Sequence, residues 1–250
     1  MCPARVDRQP VGLRHRPARL ALTLVVVLAA LAATPAASVG TEVDADAFSL
    51  ASSVASSTVW SPRPCSDKSY SLTGARWTQT LAWSFNAAST PSSMERSATR
   101  SAIKSSFSNI VNGRNECGRT DRVDATARFL GKTASAPGCT VMDNKNVVGF
   151  VSLPLSVLAQ TCWWTISGRI VEADIQINSR LPWATSLAGC LDAYMLEAVM
   201  THEVGHAFGV GHVAEASNGR LTMSTSLDGM CNNQEARLGI GDLLALESLY

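Results

Sequence analysis

The stretch His202-Glu203-Val204-Gly205-His206-Ala207-Phe208-Gly209-Val210-Gly211-His212 constrains this chain more than any other part of it. Two histidines four residues apart on a helix project from one face, about one turn apart, close enough to share a ligand. Gly209 then ends that helix, because a residue without a Cβ can enter the left-handed region and turn the chain sharply. His212 lies beyond the turn and can swing back toward the other two. The fold must therefore arrange a helix, a tight turn and a returning segment around one point, where three neutral imidazoles can hold a metal ion and leave a position open for water.

Glu203, beside the first histidine, completes a chemical set. A carboxylate there can take a proton from a metal-activated water and later pass it to a leaving amine. A lone HExxH motif carries a real risk of coincidence, and the third histidine at this spacing removes most of it. The chain has four histidines, and the other, His15, lies in an amino-terminal export signal. Every histidine of the mature chain thus sits at a ligand position, which excludes a second histidine-built metal site. A Ca2+ site made of carboxylates and carbonyls stays open but is not indicated, because no EF-hand-like loop is present.

The export signal is read from Arg5, Arg8, Arg14, Arg16 and Arg19, followed by an apolar run from Leu20 to Ala33 and small residues through Gly40. Residues 1–37 are assigned to it, with cleavage near Ala36, Ala37 or Ser38. The apolar run is shorter than the roughly 20 residues that span a bilayer, so no stable membrane insertion is expected after cleavage. Five arginines and one aspartate leave with this segment, taking the formal charge from +1 to −3. A mildly acidic chain has no basic patch for phosphates, which excludes nucleic acid as a partner. Cys2 also leaves, and Cys65, Cys117, Cys139, Cys162, Cys190 and Cys231 are an even set that suggests three disulfides in an exported protein. Six cysteines allow 15 connectivities; the pairings favoured are Cys190 with Cys231, which flank the motif, and Cys139 with Cys162.

Residues 38–63 are small, Ser-rich and Pro-containing, as in a linker or short propeptide. Residues 64–250 have the size of one domain without internal repeats. Within them Thr80–Asn86, Ala125–Leu130, Asn146–Leu153, Leu158–Ile166 and Val171–Asn178 read as strands, the last two joined into a hairpin by Ser167-Gly168. Ser92–Val111 has near-helical apolar spacing, a second helix is expected from about Asp192 to Gly209, and Gly241-Asp242 is expected to cap a short closing helix, Leu243–Leu249. The class is α+β.

The pattern HExxHxxGxxH followed by a methionine turn is the metzincin signature. Leu221-Thr222-Met223-Ser224, eleven residues after His212 at its methionine, resembles that turn, with Met230 a weaker candidate. Glu172–Asn178 with Trp183, and Leu238–Tyr250, are similar to the last strand and closing helix of matrixin-like metzincins, and the likeness covers roughly residues 75–250. The resemblance implies a secreted, bacterial-type matrixin: a zincin-like domain with a twisted five-stranded mixed sheet, one antiparallel edge strand, a backing helix, an active-site helix, a Met-turn and a carboxy-terminal helix. It also implies one catalytic Zn2+ on His202, His206 and His212, Glu203 as general base, and Met223 as an apolar platform. An extended peptide would add to the edge strand at Leu158–Trp164. Trp163, Trp164, Ser224 and Thr225 are the candidate substrate-binding residues, with core packing as the other reading of the two tryptophans.

The chain departs from animal matrixins in lacking a cysteine in residues 38–63 and a histidine-bearing structural zinc loop, and Ser224 rather than tyrosine after Met223 speaks against an astacin-type fifth ligand. The expected function is an extracellular zinc endopeptidase, a monomer acting on protein or peptide substrates. The alternatives are another amide metallohydrolase, or a binding module with structural zinc.

Overall fold

A computed structural model describes residues 38–43 and 64–250 apart from 226 and 228; the assigned signal segment and residues 44–63 lie outside the described residues. All described residues belong to one compact unit, Pro35–Tyr250. In chain order the elements are β1 (Ser38–Val43), β2 (Ser71–Leu72), β3 (Leu81–Phe85), α1 (Arg96–Val111), β4 (Ala127–Lys132), β5 (Val147–Val151), β6 (Ala159–Ile166), β7 (Arg169–Asn178), β8 (Trp183–Ala184), β9 (Tyr194–Met195), α2 (Leu196–Ala207), β10 (Val210–Gly211), α3 (Glu215–Asn218) and α4 (Ile240–Leu249).

Six strands form a mixed sheet in the order β1-β6-β7-β5-β3-β4. The five strands read from the sequence are all present, β7, β5, β3 and β4 in parallel and β6 antiparallel to β7. Two points correct the expected architecture. The sheet has six strands rather than five, and β6 is not its edge. Ser38–Val43 lies outside β6, antiparallel, in register from Ser38 opposite Thr165 to Val43 opposite Gln160. This strand has too few apolar residues to announce itself. An open sheet edge offers main-chain partners to almost any extended segment, whatever its side chains.

The strands owe their positions to burial. Leu81, Trp83 and Phe85 alternate inward along β3, while β7 buries Ala173, Ile175 and Ile177 on one face and Glu172 and Asp174 on the other. Helix α1 starts where the Glu95 carboxylate accepts from the amides of Ser97 (2.8 Å) and Ala98 (2.6 Å), satisfying two donors of the first turn. The Ser97 hydroxyl, which also donates to this carboxylate, and these two amides hold the Glu95 carboxyl down at about 2. Ile103, Phe107 and Ile110 form its buried stripe, with Phe107 stacked on Trp83 at 4.0 Å between ring centres. Helix α1 meets α2 through polar bonds as well. Ser106 Oγ donates to the Glu197 carbonyl at 3.0 Å, and Asn109 Nδ2 donates to the Glu197 carboxylate at 3.1 Å.

Helix α2 begins at Leu196 instead of Asp192, because Asp192 has a left-handed φ of 44° and Tyr194–Met195 pairs with Trp183–Ala184 before the helix starts. Helix α4 likewise begins three residues before the expected Leu243. Asp242 lies inside its first turn and accepts from the Gly239 amide at 2.8 Å, so the cap is Gly239. Disulfides join Cys65 to Cys117, Cys139 to Cys162 and Cys190 to Cys231, which includes both favoured pairings. Three such bridges are typical of extracellular proteins. Among the described residues no helix is long and apolar enough to cross a membrane.

The segment before β5 is tied to β7 by buried carboxylates. Asp174 accepts from the amides of Gly138 (2.6 Å) and Val147 (2.7 Å), and Glu172 accepts from those of Asp143 and Asn144. Burial pushes the Asp174 carboxyl up to about 7 from its ordinary 3.8. The folded protein therefore keeps a proton that the unfolded chain loses, and Asp174 contributes less stability as pH rises through the window from about 4 to 7. His202 and His206, whose values are lowered, impose the opposite slope in part of this window. Comparison with Asp174→Asn cancels that slope. Measured by denaturant unfolding, the stability of the wild type relative to Asp174→Asn should fall between pH 4 and 7; a constant difference would show that Asp174 does not titrate there.

Candidate metal centre

Helix α2 carries His202, Glu203 and His206, and it is buried along nearly its whole circumference. Its carboxy-terminal carbonyls are satisfied from both ends of the domain. Trp77 Nε1 donates to the Ala207 carbonyl at 2.8 Å, and the Tyr250 hydroxyl donates to the Phe208 carbonyl at 2.9 Å. The chain then turns at Gly209, whose φ is +90°, and the Thr73 amide donates to its carbonyl at 2.9 Å. A Cβ on Gly209 would lie 2.1 Å from the Ala75 carbonyl oxygen, so no other residue fits without moving the backbone. The turn leads into β10, which pairs with β2, and delivers His212.

His202, His206 and His212 form a group able to hold a metal ion. Their Nε2 atoms make a triangle with sides of 2.9 Å (His202 to His206), 2.9 Å (His206 to His212) and 3.0 Å (His202 to His212). Two nitrogens at about 2.0–2.1 Å from one tetrahedral metal lie roughly 3.3 Å apart, so the triangle needs little adjustment to hold one ion. The outer ring nitrogens set the tautomers. His202 Nδ1 lies 2.7 Å from the Thr222 carbonyl, and His206 Nδ1 lies 2.8 Å from the Val210 carbonyl. A carbonyl only accepts, so each Nδ1 carries the proton and each Nε2 presents a lone pair toward its neighbours. Lone pairs facing one another at this distance repel unless a cation lies between them, and these donors therefore fit a metal. Burial holds both rings neutral, pushing His202 down to about 4 and His206 well below its ordinary value.

Glu203 is fully buried, and its Oε2 accepts from the Thr161 hydroxyl of β6 at 2.5 Å. Met223 is 2 % exposed and packs beneath α2 at Gly205, where an added Cβ would meet its sulfur at 2.4 Å. Its turn is clamped from below, since Asp242 accepts from the amides of Thr222 (2.9 Å) and Met223 (3.1 Å). Burial pushes the Asp242 carboxyl up to about 6. Met230, the weaker candidate for the turn, is 37 % exposed and lies beside Cys231.

Three of the four candidate substrate residues are buried, as are His202 and His206. Trp163 and Trp164 are 6 % and 2 % exposed, and Trp163 belongs to the main core cluster, so little of either ring reaches solvent. Ser224 is buried, with its hydroxyl on the Glu215 carboxylate, while Thr225 is half-buried. Three contributors escaped the sequence: Thr161, the Val210 carbonyl and the Asp242 carboxylate. Asp242 lies in a visible Gly-Asp cap signal, but nothing marks its reach to the Met-turn. A threonine in a strand and a backbone carbonyl carry no signal at all. Neither a known protein family nor a curated protein matches the sequence.

Proposed function

We propose that the chain is an exported zinc endopeptidase of the metzincin type, matrixin-like, which hydrolyses peptide bonds as a monomer. The observation that carries this reading is the convergence of three histidine Nε2 atoms within 3.0 Å of one another, two of them from helix α2, which also carries the buried carboxylate Glu203. His202, His206 and His212 would hold a zinc ion, which would supply the Lewis acidity that brings the pKa of water toward 7. Glu203 accepts the proton of the attacking water and returns it to the leaving amine. The Thr222 and Val210 carbonyls keep the imidazoles in the ligating tautomer throughout. The three disulfides support export.

The test is cleavage of a quenched peptide library with and without a zinc chelator, together with metal identification by mass spectrometry. Chelator-sensitive cleavage by a protein carrying one zinc per chain is expected. A folded, zinc-loaded protein that cuts nothing in a broad library would reject the peptidase reading.

A peptide substrate that adds to the outer side of β6 meets Ser38–Val43 already there. The segment therefore competes with substrate for the same main-chain groups. Successive amides of a strand point to opposite sides, so proline at both Gly40 and Thr41 removes at least one donor facing β6. Gly40→Pro/Thr41→Pro should raise kcat/KM for a long peptide by about tenfold, the equivalent of ~1.4 kcal/mol of lost competition. An unchanged rate would show that the segment does not block the cleft.

A further inference from the structure

Thr161 has a place in the site that its sequence context does not foretell. It lies on β6, opposite Ile175 of β7, and is fully buried. Its Oγ1 is 2.5 Å from Glu203 Oε2 and 3.0 Å from the Glu203 carbonyl oxygen. A hydroxyl has one proton to donate, and an ionised carboxylate is a stronger acceptor than a carbonyl already inside a helix. Glu203 sits on α2 and Thr161 on the sheet, so this bond links the helix to strand β6. Only its hydroxyl separates threonine from the isosteric valine, which a buried strand would otherwise accept equally well.

We infer that Thr161 is a positioning residue for Glu203: its hydroxyl holds Oε2 and thereby sets the plane of the carboxylate, and with it where Oε1 lies relative to the three histidines. A carboxylate on two methylenes has several rotamers, and a base that samples them spends less time in the orientation that takes a proton. Holding one oxygen by a short, charge-assisted bond inside a buried site removes that freedom without touching substrate. The inference rests on Glu203 serving as the base of the proposed hydrolysis.

Two variants separate positioning from structure. Thr161→Val keeps shape and volume but loses the donor, and Thr161→Ser restores the donor with one methyl fewer. In protein labelled with 13C at glutamate carboxyl carbons, with the Glu203 resonance assigned by its absence in Glu203→Gln, Thr161→Val should shift that resonance and Thr161→Ser should return it toward its original position. This readout needs no activity and is recorded on metal-free and zinc-loaded protein. In peptide cleavage, Thr161→Val should lower kcat by between about tenfold and a hundredfold, a part of the ~10²–10⁴ that a general base supplies. KM and zinc content should stay within twofold of wild type, and Thr161→Ser should recover most of the loss. An unmoved Glu203 resonance in Thr161→Val overturns the contact. A moved resonance with an unchanged kcat in an active wild type overturns the positioning role. A wild type that binds zinc and cleaves nothing overturns the hydrolysis reading and this role with it, while a shifted resonance would still establish the bond.

Discussion

Glu203→Gln is expected to bind zinc as the wild type does and to lose roughly a thousandfold or more in kcat, within the range by which a general base accelerates proton transfer. Glutamine has nearly the same shape as glutamate, and its amide oxygen can still accept from Thr161, whose hydroxyl lies 2.5 Å from Glu203 Oε2. The variant therefore keeps an acceptor for the Thr161 hydroxyl, which alanine would not. What it removes is the ability to take a proton. The measurements are zinc per chain after dialysis, thermal unfolding, and steady-state cleavage of a peptide found with the wild type. Equal zinc with turnover within tenfold of wild type would remove Glu203 from the role of base. Loss of zinc would show instead that the carboxylate shapes the metal centre itself.

The second large effect is expected at Gly209, through architecture rather than chemistry. At φ +90° an L-residue incurs a backbone penalty of about 1–2 kcal/mol, and an added Cβ would also stand 2.1 Å from the carbonyl oxygen of Ala75. Main chain cannot rotate out of the way as a side chain can, so overpacking should add about 1–3 kcal/mol. Gly209→Ala is therefore expected to destabilise the fold by about 3 kcal/mol or more, a fall in Tm of roughly 10 °C for a domain of this size. The same displacement should reach two ligands. His212 follows the turn directly, and the Val210 carbonyl that fixes the tautomer of His206 is the next residue. Zinc retention should weaken along with stability. Gly74→Ala is the control: φ there is +85°, and a Cβ would meet nothing within 4 Å, so only the backbone penalty applies. If Gly209→Ala and Gly74→Ala lose stability equally and both keep zinc, the contact with Ala75 has no special role.

Both effects trace back to local spacing. His202 and His206 share a helix face because 3.6 residues make a turn, and Gly209 breaks that helix because its missing Cβ permits a conformation closed to other residues. These are short-range rules, and His202, His206 and His212 do converge as spacing requires. The hairpin at Ser167-Gly168 and the five central strands were legible for the same reason, since alternation and turn residues act within a few positions. The limits of helices were less so. Helix α2 is buried on nearly every side, polar residues included, so no solvent-facing polar stripe marks its start, and a short pairing of Tyr194–Met195 with β8 delays it to Leu196.

By itself, then, the sequence determined which residues make the candidate metal centre, that a helix and a glycine turn present them, and that six cysteines outside the assigned signal segment are available in pairs. Only the tertiary structure decided what holds that centre in place. Thr161 reaches Glu203 from a strand 42 positions away, Asp242 supports the turn at Thr222-Met223 from the closing helix, and Ser38–Val43 takes the open side of β6. Each depends on hydrogen bonds between elements far apart in the chain, and any threonine, aspartate or extended backbone has the same donors and acceptors. Proximity gives those common groups their roles, and proximity is created by burying the apolar faces of the sheet, α1 and α2 together.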